Sequence, residues 1–238
     1  MWFFNTSKYL PESGLLNGLT DCHCHLLPDV DDGVKSLPET LRILQQYESW
    51  GIREVWLTPH IMEDYPNTTN ELRRRFQALV EAYRQTSNSH PITLHLGSEN
   101  MLDALFIQRL ANDDLLPMLD GRHLLVETSY FNPPVGFHDI LRRIRDKGYV
   151  PVLAHPERYH YMERKDYQDL KSSGIRLQLN LLSIFGHYGE NAQKKALELL
   201  KAGAYDYVGT DLHSERALEL IKRQKVKSSL VRLLRPLI

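Results

Sequence analysis

Seven short runs of apolar and β-branched residues recur along this chain, at 19–24, 54–58, 92–97, 123–128, 150–154, 176–181 and 205–209, separated by helix-patterned stretches. Strands that alternate with helices pair in parallel, because the crossover leaves each strand running the same way. Helix starts are readable at Ser36 with Glu39 and at Thr68 with Glu71, each a capping box ahead of an apolar-periodic run. Gly51, Gly148, Gly174 and Gly203 sit just past helical patterns, where a left-handed C-terminal residue is wanted.

An open doubly wound sheet and a closed barrel both satisfy this alternation, so the polar residues must decide. They fall at strand ends: Asp21, His23 and His25, then His60, Glu99, Glu127, His155, Asn180, and finally Asp211 and His213. In an open sheet the first and last strands would be far apart. Closure gathers all the C-terminal ends around one mouth, which predicts an α/β fold of the distorted (β/α)7 barrel type, TIM-like in plan. Residues 19–238 form that single domain and 1–18 an N-terminal extension, a division that a chain of 238 residues with 42% hydrophobic content can support.

His23 and His25 offer two imidazoles to one ion, a signal that is weak alone. Asp32, His60, Glu99, Glu127, His155, Asp211 and His213 add the same donor chemistry where barrel topology would collect it. Five imidazoles and four carboxylates exceed one tetrahedral ion and suit two or three with bridging carboxylates. Three divalent ions against four carboxylates leave a net positive site that favours a dianionic phosphate monoester and a metal-activated water. No Cys-x5-Arg nucleophile loop is present. Cys22 and Cys24, the two cysteines, are too close on one strand to bridge, which fits a reducing compartment; they are expected to face away from His23 and His25 and pack beneath helices. His95 is expected to pack in the core, and His90, His123, His138, His160 and His187 to be structural or solvated.

These residues resemble the PHP superfamily and, within it, the bacterial tyrosine phosphatases of capsular and exopolysaccharide operons. The resemblance is carried by Asp21-Cys22-His23-Cys24-His25, Asp29-Val30-Asp31-Asp32-Gly33, Thr58-Pro59-His60, Gly97-Ser98-Glu99, Val126-Glu127, Ala154-His155-Pro156-Glu157-Arg158-Tyr159, Asn180 and Thr210-Asp211-Leu212-His213. It implies a PHP-type barrel that hydrolyses phosphotyrosine on the operon's tyrosine kinase, using three ions, often manganese or iron, at donors that would also accept zinc, cobalt or magnesium. By the same resemblance, His23, His25, Glu99 and Asp211 would hold one ion, Glu99, Glu127 and His155 a second, and Asp32, His60 and His213 the third. Arg158 would bind the phosphoryl group and Arg216 would be a second arginine. Asn100 departs from the pattern, since relatives often carry an aromatic after the glutamate.

A formal net charge of −1 offers no field for a polynucleotide, and no apolar run is long enough to span a bilayer. The expectation is a cytoplasmic enzyme whose partner is a phosphotyrosine-containing kinase tail, with no nucleic acid. Membrane contact would come only through that partner or weakly through the termini, at Trp2-Phe3-Phe4 and the basic Lys222 to Ile238 segment, whose ordinary role is a solvated helix face. Nothing in the sequence sets an oligomer surface apart from an ordinary helical face. Two other readings compete: a small-molecule phosphatase such as a histidinol-phosphatase of the same superfamily, and a non-catalytic phosphotyrosine-binding adaptor.

Overall fold

The computed structural model describes residues 7–86 and 91–238, so Trp2-Phe3-Phe4 and His90 lie outside the described residues. Along the chain run β1 (Ser7–Tyr9), β2 (Thr20–Cys24), α1 (Leu37–Ser49), β3 (Glu54–Leu57), β4 (His60–Ile61), α2 (Thr69–Thr86), β5 (Thr93–Leu96), β6 (Glu99–Met101), α3 (Ala104–Ala111) and β7 (His123–Glu127). They are followed by α4 (Phe137–Asp146), β8 (Val150–Ala154), α5 (Arg164–Ser172), β9 (Arg176–Asn180), α6 (Glu190–Lys201), β10 (Tyr207–Gly209), α7 (Glu215–Arg223), β11 (Lys225–Lys227) and α8 (Ser228–Leu234).

Two parallel sheets, ordered β2-β3-β5 and β10-β9-β8-β7-β6-β4, continue into one another. The Thr58 amide donates to Cys24 O at 2.8 Å and the Gly97 amide to Leu57 O at 2.8 Å, so β3–β4 and β5–β6 are each one strand broken for two residues. Pro59 lies in the first break, where its missing N–H costs no ladder bond. At the far edge β10 returns to β2: Asp211 N donates to His23 O (2.8 Å) and His25 N to Leu212 O (2.9 Å). The outcome is a mixed α/β fold around a curled parallel sheet, with the helices outside.

Both faces of these strands are apolar, as a covered parallel sheet requires. Val55, Leu57, Leu124, Val126 and Leu153 join the main core under the helices. The alternate residues Trp56, Leu125, Val152 and Ala154 pack with Met118 in a smaller inner cluster. Phe137, Ile140, Leu141 and Ile144 give α4 one buried stripe, and each such side chain is worth roughly 1.5–3 kcal/mol when fully removed from water.

Chain ends and caps differ in part from expectation. Strand β1 pairs antiparallel with β11, and Leu10, Leu15 and Leu16 are buried, so the described part of the N-terminal segment is tied to the body. The basic C-terminal segment is divided among α7, β11 and α8, with Val226 and Leu234 buried. Ser36 is the N-cap of α1 but makes no side-chain cap bond, and the Glu39 carboxylate accepts from the amide of Glu215 at 3.2 Å. Thr68 does accept from Glu71 N at 3.2 Å, while the Glu71 carboxylate is taken by Arg74 and Arg75. The four helix-ending glycines have φ between 64° and 88°.

Candidate metal centre

A register shift in β2 between Asp21 and Cys24 reverses the simple alternation of that strand. Asp21 is thereby turned to the helix side, where it meets Tyr47 of α1, although parity alone would have put it with His23 and His25. Cys24 joins the main core and donates to Trp56 O. Cys22 is buried and donates to Thr20 O at 3.7 Å, outside the main core cluster, so the expected packing beneath the helices is seen for Cys24.

His23 and His25 project into the mouth of the curled sheet, where they meet side chains from the ends of the other strands. Donor atoms of His23, His25, Glu99 and Asp211 lie within 4.8 Å of one another. Under the same limit His25, Asp32, His60 and His213 form a second group, and His60, Glu99 and Glu127 a third. Shared His25, His60 and Glu99 make the three groups one continuous cluster. His155 adjoins it, with Nε2 at 3.0 Å from Glu99 Oε1 and 3.8 Å from Glu127 Oε2. The residues expected around a first ion therefore gather as a set; His60 stands with Glu99 and Glu127 where His155 was expected, and His25 adds to Asp32, His60 and His213.

Hydrogen bonds on the outer ring nitrogens determine what the inner ones can do. Gln178 donates its Nε2 to Leu179 O at 2.5 Å, which leaves Oε1 to accept from His23 Nδ1 at 3.0 Å. His25 Nδ1 likewise donates to Asp31 Oδ2 at 2.8 Å. An imidazole held this way, once it is neutral as a metal ligand must be, presents a bare Nε2 lone pair to the centre, and these two nitrogens are only 3.0 Å apart. Glu99 Oε2 is 3.2 and 3.3 Å from them, and Asp211 Oδ1 3.4 and 3.5 Å. Four acceptors facing one point without a proton repel one another, and a divalent cation there satisfies all four. His60 Nδ1 is a buried atom without a hydrogen bond, although Glu99 and Glu127 oxygens lie at 3.2 and 3.1 Å. These residues fit metal ions.

The same charge shows in the proton affinities of the side chains. Burial opposes a charged His23, yet the carboxylates of Glu99 and Asp211 outweigh it and raise this imidazole to about 9. His60 is raised to about 10 in the same contest, by Glu99 and Glu127. Burial pushes Asp31 up, but its bonds from His25, His60 N and Gly33 N bring it down to about 2. The cluster attracts cations, and protons compete with metal for it.

Backbone geometry brings the donors inward at some cost. His155 and Asp211, each just past a strand end, adopt φ of 33° and 53°, a left-handed conformation that costs of order 1–3 kcal/mol for a residue with a side chain. Gly33 lets the Asp31-Asp32 loop close on His25, where a Cβ would fall 2.3 Å from the His25 carbonyl oxygen. Gly209 lets β10 approach β2, where a Cβ would lie 2.4 Å from His23 Cβ.

Arg158 closes one side of the mouth. Its Nη1 donates to Asp211 Oδ2 at 2.7 Å, and its guanidinium lies 4.5 Å from the ring of Tyr130 and 4.1 Å from that of Tyr188. Asn180 Nδ2 donates to the same Asp211 oxygen at 2.9 Å. Arg216 is exposed in the first turn of α7, with no hydrogen bond or ion pair to the cluster among the described residues. Asn100 is buried and donates to Ser98 O and Leu125 O, so it adds nothing to the mouth.

The family model for capsular polysaccharide synthesis, CpsB/CapC, matches residues 19–225, a span that holds the whole cluster. The chain belongs to the CpsB/CapC family. Among its relatives, tyrosine-protein phosphatase CpsB of Streptococcus pneumoniae is 28% identical over 204 residues, covering 82% of this chain and 83% of that protein. Tyrosine-protein phosphatase YwqE of Bacillus subtilis (strain 168) is 27% identical over 199 residues, covering 82% and 78%. A solved structure from work on YwqE and CpsB, described as unique metal-dependent tyrosine phosphatases, superposes with a TM-score of 0.77 at 25% identity over 92% of each chain.

Within this CpsB/CapC chain, sequence reasoning missed Asp31, Gln178 and Glu157. The first two orient His25 and His23. Glu157 is buried and accepts from Asn180 N and Tyr205 OH, holding the β9 end against the turn that carries His155 and Arg158. Asp31 was visible in the Asp-rich segment, but its neighbour Asp32 looked equally suited to the mouth. Nothing in the residue pattern singled out Gln178. His95, expected in the core, is only partly buried: its ring stacks on Trp56 at 4.4 Å, but the side chain is 32% exposed and faces Glu54 at 3.7 Å.

Proposed function

We propose that this chain is a metal-dependent protein-tyrosine phosphatase that hydrolyses phosphotyrosine on a tyrosine kinase of capsular or exopolysaccharide synthesis. The observation that carries the proposal is the sharing of Asp211 between the His23/His25/Glu99 group and the Arg158 guanidinium, which sets cationic chemistry and a forked phosphate donor side by side. Three divalent ions, manganese or iron, would occupy the cluster, polarising phosphoryl oxygens and acidifying a water nucleophile. The chain's own residues do the rest. Gln178 and Asp31 hold His23 and His25 with Nε2 inward. Tyr130 and Tyr188 clamp the planar guanidinium of Arg158, whose N–H groups beyond the Asp211 contact can take a phosphoryl oxygen.

Residues 19–238 are read as one distorted (β/α)7 barrel with 1–18 as an extension, a reading supported by the β10-to-β2 hydrogen bonds at the mouth. No helix of the described residues is long and apolar enough to cross a membrane, and the reading is of an enzyme acting in the cytoplasm on a kinase tail. The names borne by relatives favour a phosphoprotein over histidinol phosphate as the substrate, and catalysis over adaptor binding. Incubation with a phosphotyrosyl peptide and manganese should release phosphate, and chelation should stop it. Release that is absent, or that survives chelation, would refute the proposal.

A further inference from the structure

The loop between β7 and α4 leaves Glu127, a member of the cluster, and immediately brings out Tyr130 and Phe131. The Tyr130 carbonyl accepts from His160 N at 2.8 Å, which fixes this loop to the segment after Arg158. Tyr130 turns inward, its ring 5.9 Å from that of His155 and under Arg158. Phe131 turns outward and is 69% exposed, so its ring is open to an incoming group. It is not loose: its ring stacks on His160 at 5.3 Å with an interplanar angle of 8°. Together with Tyr130, Arg158 and Tyr188 this pair lines a cleft of about 320 Å³ that begins at the phosphate-facing arginine.

Resting on the phosphatase reading, we infer that Phe131, backed by His160, is the wall against which the aryl ring of the phosphoester is seated. A phosphoryl group drawn to Arg158 and the cluster places its ester substituent beside this cleft. With Tyr130 and Tyr188 engaged by Arg158, the exposed ring there is Phe131, and it suits a flat aromatic substituent better than an aliphatic one, because offset or edge-on ring pairs add to simple area burial. The cleft thereby selects for aryl over alkyl phosphates, and Phe131 is a specificity-determining residue outside the metal cluster. His160, which the sequence presents as structural or solvated, stacks on the phenyl ring and holds it in place.

The test compares wild type, Phe131→Ala, Phe131→Trp and His160→Ala as full chains in manganese buffer, on a phosphotyrosyl peptide, p-nitrophenyl phosphate and β-glycerophosphate. Phe131→Ala should raise KM for both aryl esters by about 3- to 10-fold, the range an aromatic pair supplies, with kcat and the β-glycerophosphate KM unchanged. Phe131→Trp should restore the aryl KM, and His160→Ala should raise it less than Phe131→Ala. Equal shifts on aryl and alkyl esters, or no shift on any, with an active wild type, would overturn the aryl wall and leave the phosphatase reading standing. A wild type that releases no phosphate from the peptide would overturn that reading and this inference with it.

Discussion

Two buried acid sites flank the seam where β2 meets the end of β10, and the two are built on opposite plans. On the helix side, Asp21 is surrounded by donors: Thr210 N at 2.8 Å, Thr210 Oγ1 at 2.7 Å, Tyr47 OH at 3.1 Å and His23 N at 3.3 Å. On the inner side, Asp211 and Glu99 face imidazole lone pairs and each other's oxygens. Burial raises the Asp21 carboxyl despite its hydrogen bonds, whereas for Asp211 burial is overcome by His23, His213 and Arg158, and its carboxyl is lowered. A carboxylate whose lone pairs are met by neutral donors closes a seam. Acceptor atoms turned to one point, with Arg158 and Asn180 donating only to the other oxygen of Asp211, make a place for cations.

The contrast is broken most severely by removing an inner acid. Asp211→Ala should abolish chelator-sensitive phosphate release, a loss beyond the roughly 10–100-fold typical of residues that only orient a ligand, with the far-UV circular dichroism unchanged. An active variant would refute the inner site as the reaction centre. One step outward, Asp31→Ala frees the His25 ring and should weaken manganese binding by about 10–100-fold, as read by isothermal titration; unaltered affinity would remove Asp31 from the site's support. Asp21→Ala tests the other face. It leaves Thr210 N unpaired and the Thr210 and Tyr47 hydroxyls with only each other, at a cost of about 1–3 kcal/mol, so the melting temperature should fall while kcat at saturating manganese stays within a few-fold. A collapse of kcat without loss of stability would show that the two faces are not separable.

The smallest effect concerns pH. In the metal-free chain His23 and His60 are raised from 6.5 to about 9 and about 10. Their protonated forms stabilise the fold fully below pH 6.5, and that contribution is lost as pH rises through 9 and 10. Thermal melts without metal should therefore drop by several degrees between pH 6.5 and 10, at roughly 2–4 °C per kcal/mol. Manganese needs the neutral imidazoles, so the loaded chain should gain stability over metal-free chain as pH rises across the same window. Parallel curves with and without metal would disconnect these histidines from the ion site.

Much of the fold was legible because its signals are local. The seven strand positions in the sequence correspond to β2, β3, β5, β7, β8, β9 and β10, shifted by at most two residues at an end, since apolar runs and helix-ending glycines act within a few residues. Short β4 and β6 were not legible. His60 and Glu99 stand on them, and two or three residues carry no periodicity; they form because neighbouring strands supply hydrogen-bond partners. The Glu39 half of the Ser36 capping box was lost for a similar reason, as its carboxylate accepts from Glu215 N on α7, distant in sequence.

What this sequence determined unaided is the inventory: parallel strands, amphipathic helices, and nine metal-type side chains at or after strand ends, because residue chemistry and local periodicity do not depend on distant contacts; Arg158 was legible only through the family resemblance. Only the tertiary structure decided how the inventory is divided. The β2 register shift sent Asp21 to the seam and His23 to the mouth, Gly33 and Gly209 permitted the close approaches, and His25, His60 and Glu99 became shared among groups. Those outcomes depend on which strand ends meet across the curled sheet, a long-range geometry that no window of the sequence contains.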